Sequence, residues 1–169
     1  MIMNKLFNAD GTETPDRPYH YNDEVKELII KKAVNSIFNE KHCDFDEDEK
    51  EDLQTSLISH WSPYIDGYDL AKDFESDCWD VDRNFVDKLD NVCGYISSAL
   101  RDEEKKWADD NDIVPPFNIG DKLNIGIITG FHSYGAASYL VLVNGDPESS
   151  TSRRIIKFED AIPEIKEIK

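Results

Sequence analysis

Apolar positions in the first two thirds of the chain recur every three or four residues, the spacing of one face of an α-helix. Val25, Leu28, Ile29, Ala33 and Ile37 make the first such stripe, with Asn22 ahead of it as an N-cap. Asp23 and Glu24 fall in its first turn, where the helix dipole favours carboxylates. A second stripe, Leu53, Leu57, Ile58 and Trp61, follows Asp46 and Glu49, which have capping-box spacing, and stops before Pro63. The longest seam runs through Leu70, Phe74, Cys78, Val81, Phe85, Leu89, Val92, Ile96 and Ala99. It predicts helix from Asp66 and Gly67 to near Asp109, broken once near Asp80. Three striped helices can cover one another, so residues 1–112 are expected to form a helical bundle, with 1–21 as an irregular lead-in punctuated by Gly11, Pro15 and Pro18.

The period changes after Pro115 and Pro116. Leu123 to Phe131 reads as a strand bent at Gly126 and Gly130, and Tyr139 to Val143 as a second, closed by the turn residues Asn144 to Pro147. Arg154 to Phe158 reads as a third. The expected fold class is therefore α+β: an N-terminal helical bundle over 1–112, then a small β-barrel or curled antiparallel sheet over 117–169. The stretch Phe117 to Leu123, with its later glycines and the closing Ile156 to Ile162, resembles SH3-like small barrels, a resemblance confined to the last third.

Charge is the most uneven property of the sequence. In 169 residues, 36 Asp and Glu face 19 Lys and Arg, a net charge of −17. Residues 42–112 hold 22 acids and seven bases, net −15, whereas the segments on either side are each net −1. Such a balance argues against a direct grip on nucleic acid or on anionic membrane surfaces, since phosphates would be repelled. Hydrophobic residues at 39% and aromatics at 11% set the chain apart from a disordered acidic tail. No apolar run approaches a transmembrane length, and no signal-peptide core precedes Asn8. The three cysteines, Cys43, Cys78 and Cys93, lack metal spacing and are expected to be reduced thiols of a cytoplasmic protein.

Asp66, Asp69, Asp73, Asp77 and Asp80 step by 3, 4, 4 and 3, which on one continuous helix would align them beside the buried seam. Like charges at i,i+4 oppose helix formation, and Asp is a poor interior helix residue, so the row is not explained by solubility. Lys72 is the sole base between Asp66 and Asp80. Two further acid clusters flank the row: Asp44 to Asp52, including Asp46 and Asp48, and Asp102 to Asp112, including Asp102 and Glu103. By charge pattern and size, with no shared motif, residues 44–112 resemble the acidic DNA-mimic inhibitors that phages and mobile elements use against restriction or CRISPR enzymes. That resemblance implies a non-enzymatic inhibitor whose carboxylates stand in for phosphates. The implied partner is a basic nucleic-acid-binding protein of a bacterial host. No cofactor or metal is implied, and a homodimer is left open.

Three alternatives stand beside it. An immunity protein or antitoxin would use the same acid-on-base chemistry against one nuclease or toxin. An adapter would make its contacts through the β module and keep the acids for solubility. A carboxylate-metal enzyme would use Glu24 and Glu27 with Asp87 and Asp90, two i,i+3 acid pairs of the kind found in helical Mg²⁺ pyrophosphatases, although such pairs arise by chance in so acidic a chain. Asp44 to Thr55 fails as a calcium loop, with Glu49 at the turn glycine and Thr55 at the twelfth position. His20, His42, His60 and His132 are scattered without ligand spacing, and packing is the expected role of Trp61, Trp79 and Trp107.

Overall fold

The computed structural model describes residues 4–40 and 43–164, and His42 lies outside them. The chain is α+β, with four α-helices among the described residues: α1 (Asp23–Phe38), α2 (Lys50–His60), α3 (Gly67–Ser76) and α4 (Arg83–Asp110). Four strands follow: β1 (Lys122–Leu123), β2 (Gly126–Phe131), β3 (Ser138–Val143) and β4 (Arg154–Lys157). No helix among the described residues is long and apolar enough to cross a membrane.

The chain divides into two units, residues 18–103 and residues 1–17 with 104–169. The division falls inside α4 rather than at Pro115, and the N-terminal lead-in goes with the sheet. Long-range bonds explain this. Asn8 bridges Ile113, and the Asn4 N–H donates to the Glu159 carbonyl at 2.8 Å.

In the helical unit, the side chain of Asn22 caps α1 by accepting from the Val25 N–H at 3.2 Å. The buried face of α1 is Ile29, Ile30, Ala33, Val34 and Ile37. Leu28, expected inside, is 41% exposed, because the stripe is centred one position further round the helix. A short 3₁₀ turn, Glu47–Glu49, leads into α2, and the Asp46 N–H donates to Glu49 Oε2 at 2.8 Å as a capping box requires. Leu53, Leu57 and Trp61 join Leu70, Phe74, Phe85, Leu89, Val92 and Ile96 in one core. Gly67 lets α3 close on α4. A Cβ there would lie 2.6 Å from the Val86 carbonyl oxygen, while the Gly67 N–H donates to Asp90 Oδ1 at 2.6 Å.

The helical stretch from Asp66 breaks near Asp80, as its sequence suggests, and the gap runs from Asp77 to Asp82. Asp77 is the C-cap of α3, and Cys78 takes φ +69°, a left-handed conformation that no α-helix continues through. Cys78 is accordingly exposed, and helix resumes only at Arg83.

In the sheet unit the strands form an antiparallel meander in the order β1-β2-β3-β4. It does not close into a barrel. Closure would pair β1 with β4, but the outer edge of β1 is taken by the tail, where Leu123 bridges Pro163 and the Glu164 N–H bonds the Lys122 carbonyl. A register shift between Ile128 and Gly130 supplies the bend read from the glycines. Gly126 is a site of close approach, since a Cβ would fall 2.0 Å from the Leu142 carbonyl oxygen. The inner face buries Ile128, Tyr139 and Val141 against Leu6, Trp107, Leu123 and Phe158. Burial pushes the Tyr139 hydroxyl up to about 12. That hydroxyl accepts from the Phe117 N–H at 2.8 Å and donates to the Phe117 carbonyl at 3.0 Å.

Candidate acidic interface

The aspartates expected to form a single ridge are held in four different ways. Asp66 is the N-cap of α3, and its Oδ1 accepts the Asp69 N–H at 2.8 Å. Asp69 lies on α3 and pairs with Lys72 at 2.8 Å, both side chains exposed. Asp73, also on α3, is half-buried. Asp77 stands at the helix end, and Asp80 lies in the segment between α3 and α4. A straight row of five free carboxylates is therefore corrected. The helix that would align them stops at Ser76, and one of the five is paired with a lysine. Exposed pairs of this kind contribute little to stability, so Lys72 can exchange partners readily. Of the supporting residues, Asp46, Asp48 and Asp102 are exposed, whereas Glu103 is half-buried and pairs with Lys32.

Asp77 and Asp80 instead face acids from another part of the sequence. Together with Glu49, Asp52, Thr55, Ser56 and Ser59 of the α2 segment, and with Cys78 and Trp79, they line an open groove of about 610 Å³. Four carboxylates thus surround one concavity with hydroxyls between them. Its floor is built in a specific order. Ser56 is buried; its hydroxyl donates to Asp77 Oδ2 at 2.7 Å and accepts from the Trp79 indole N–H at 3.2 Å. His60 Nε2 lies 3.0 Å from the same Asp77 oxygen. Trp79 packs its other side against Phe74 and Phe85, with ring centroids 5.4 and 5.5 Å away.

The Ser56 hydroxyl is the main reason the Asp77 carboxyl sits below its ordinary range, with His60 adding to it. A carboxyl lowered in the folded state contributes stability that is complete above the ordinary aspartate range. That stability fades as pH falls through the lowered value. Ser56→Ala should raise the Asp77 pKa toward that of a free aspartate, as read by carboxyl NMR titration. It should also cost the helical unit about 1–2 kcal/mol in urea melts by orphaning the Trp79 N–H. An unmoved Asp77 titration would contradict the assignment of the shift to Ser56.

Glu49 and Asp52 belong to the Asp44–Asp52 acid cluster, but the sequence does not mark them, with Ser56 and Trp79, as one group. A signal exists on α2: Glu49, Asp52, Ser56 and Ser59 step by 3, 4 and 3, so one helix face is wholly polar. Its convergence with Asp77 and Asp80 is a tertiary fact. The alternative acid pairs are placed elsewhere. Glu24 and Glu27 are exposed on α1, Asp87 is exposed on α4, and Asp90 is engaged by the Gly67 N–H. Among the described residues no three His, Cys, Asp or Glu side chains are grouped closely enough to hold a metal ion. The groove carboxylates are dispersed, an arrangement suited to several separate cations such as the Lys and Arg side chains of a partner. Set against models of protein families, curated proteins and solved structures, the chain matches none of them.

Proposed function

We propose that the chain is a non-enzymatic inhibitor whose helical unit occupies the nucleic-acid groove of a bacterial defence enzyme of the restriction or CRISPR kind, its carboxylates taking the places of phosphates. The observation that carries this is the convergence of Glu49, Asp52, Asp77 and Asp80 on one groove, in a unit holding 22 acids and nine bases. A duplex-binding site presents Lys and Arg spaced for one negative charge per roughly 1.7 Å of axis. Dispersed carboxylates can meet such a row of cations one by one. Asp77 is already fixed by Ser56 and His60, so less side-chain entropy is lost when it is engaged. Trp79 at the groove wall offers an aromatic face to an arriving guanidinium. Encounter would be steered by the −17 net charge and weakened by salt.

The phosphate-like array is therefore a groove rather than a row, and Asp66, Asp69, Asp73, Asp46, Asp48 and Asp102 are further exposed or half-exposed carboxylates of the same unit. The helical unit would serve as a small bundle carrying the groove, supported by the single core shared by α1 to α4. The sheet unit would be an open relative of SH3-like barrels, supported by its up-and-down strand order. The free thiols Cys43, Cys78 and Cys93 fit action in the reducing cytoplasm of a bacterial host. The test is displacement: the chain should release duplex DNA from its target enzyme, and excess DNA should release the chain.

A further inference from the structure

The outward face of the sheet has the opposite chemistry. Ile127, Leu140, Leu142 and Ile155 are neighbours there, since Ile127 pairs with Leu142 and Leu140 with Ile155 across β2, β3 and β4. None belongs to the core beneath, and Ile155 is 52% and Ile127 38% exposed. No strand residue of the sheet is acidic, although acids outnumber bases 36 to 19 in the chain. The bases on this face are Lys122, exposed opposite Ile127, Arg153, and Lys157 beyond Ile155, the last already paired with Glu104 at 3.5 Å. Arg153 reaches across the face and is locked in place. Its Nε donates to Thr129 Oγ1 at 3.0 Å, and Nη1 donates to the Ser150 and Ser152 carbonyls at 2.6 and 2.7 Å. Its Nη2 has no hydrogen-bond partner among the described residues, and no carboxylate pairs with the guanidinium.

We infer that this face docks an acidic, aliphatic segment of another protein, with Ile127, Leu140, Leu142 and Ile155 taking its apolar side chains and Arg153 and Lys122 its carboxylates. Charge complementarity selects the occupant. A guanidinium immobilised beside aliphatic side chains recognises a carboxylate with little further ordering. A second copy packed sheet on sheet would set these bases against their own counterparts. Single-stranded nucleic acid needs aromatic stacking platforms, and the four residues at the centre of this face are aliphatic. The inference is independent of the acidic groove, which lies in the other unit.

The experiment is an NMR titration of the full ¹⁵N-labelled chain with a synthetic peptide alternating glutamate and leucine. Peptides alternating glutamate with serine and lysine with leucine, and a thymidine oligonucleotide, serve as comparisons. Amide shifts centred on Ile127, Leu140, Leu142 and Ile155 are expected with the glutamate–leucine peptide alone. Ile155→Ser should weaken it about tenfold and Arg153→Gln about threefold, both variants keeping the wild-type spectrum elsewhere. Equal binding of the lysine–leucine peptide, or no shifts on this face at millimolar peptide, would overturn the proposal. Oligonucleotide binding at the face would overturn it in favour of a nucleic-acid ligand.

Discussion

Arg17→Met should lower the stability of the sheet unit by about 3–5 kcal/mol, the usual consequence of removing one partner from a buried ion pair. Arg17 and Glu159 expose only 5% and 7% of their side chains. Arg17 Nε and Nη2 bond the Glu159 carboxylate at 2.5 and 3.0 Å. Nη1 and Nη2 bond the Ala136 and Ala137 carbonyls, each at 2.9 Å, and the guanidinium lies 4.8 Å from the centre of the Trp107 ring. One side chain therefore ties the N-terminal segment to the β2–β3 loop, to the turn after β4 and to α4. Its loss strands a carboxylate and two carbonyls away from water. Urea denaturation followed by amide exchange at Tyr139 to Val143 reads the effect. Adding Glu159→Met should recover most of the loss, because two well-packed apolar side chains remove the stranded charge. A loss under about 1 kcal/mol for Arg17→Met alone would show that the pair is not what holds these segments together.

Replacing Glu49 by Gln and Asp52, Asp77 and Asp80 by Asn should weaken binding to the target enzyme by two to three orders of magnitude. Shape is kept, but four charge-assisted contacts become neutral, and each is worth roughly 1 kcal/mol or a little more. The salt dependence of binding should flatten at the same time, since fewer ions change place when the complex forms. The control removes four charges elsewhere: Asp109, Asp110, Asp112 and Asp146, all exposed in the other unit, changed to Asn. That variant should lose a few-fold at most, through weaker long-range steering. Equal losses in the two variants would mean that net charge alone governs binding and that the groove has no special part.

Local chemistry made much of this fold legible. Asn22, the Asp46 and Glu49 pair, and Asp66 mark helix starts because capping is satisfied within three residues of chain. The bend at Gly130 and the turn after Val143 were legible for the same reason. What escaped depends on distant partners or on single backbone angles. A break near Asp80 was legible, but the positive φ of Cys78, which ends α3 and takes Asp77 and Asp80 off the helical row, was not. The attachment of the N-terminal segment to the sheet depends on Arg17 meeting Glu159, 142 residues away. Closure of the sheet failed because Pro163 occupies the edge of β1, and no pattern within the strands announces that. Half of the groove was visible as a polar stripe on α2. The other half came into place only through the packing of Trp79 and Ser56.

The central claim is that the helical unit and nucleic acid compete for one surface, and fluorescence anisotropy of a labelled duplex bound to the target enzyme tests it most directly. Wild-type chain should release the duplex stoichiometrically at low salt, with the apparent affinity falling in proportion to the duplex already bound, while the variant lacking the Glu49, Asp52, Asp77 and Asp80 charges should leave the duplex in place. A stable complex containing enzyme, duplex and chain together, with the duplex undisturbed, would contradict it.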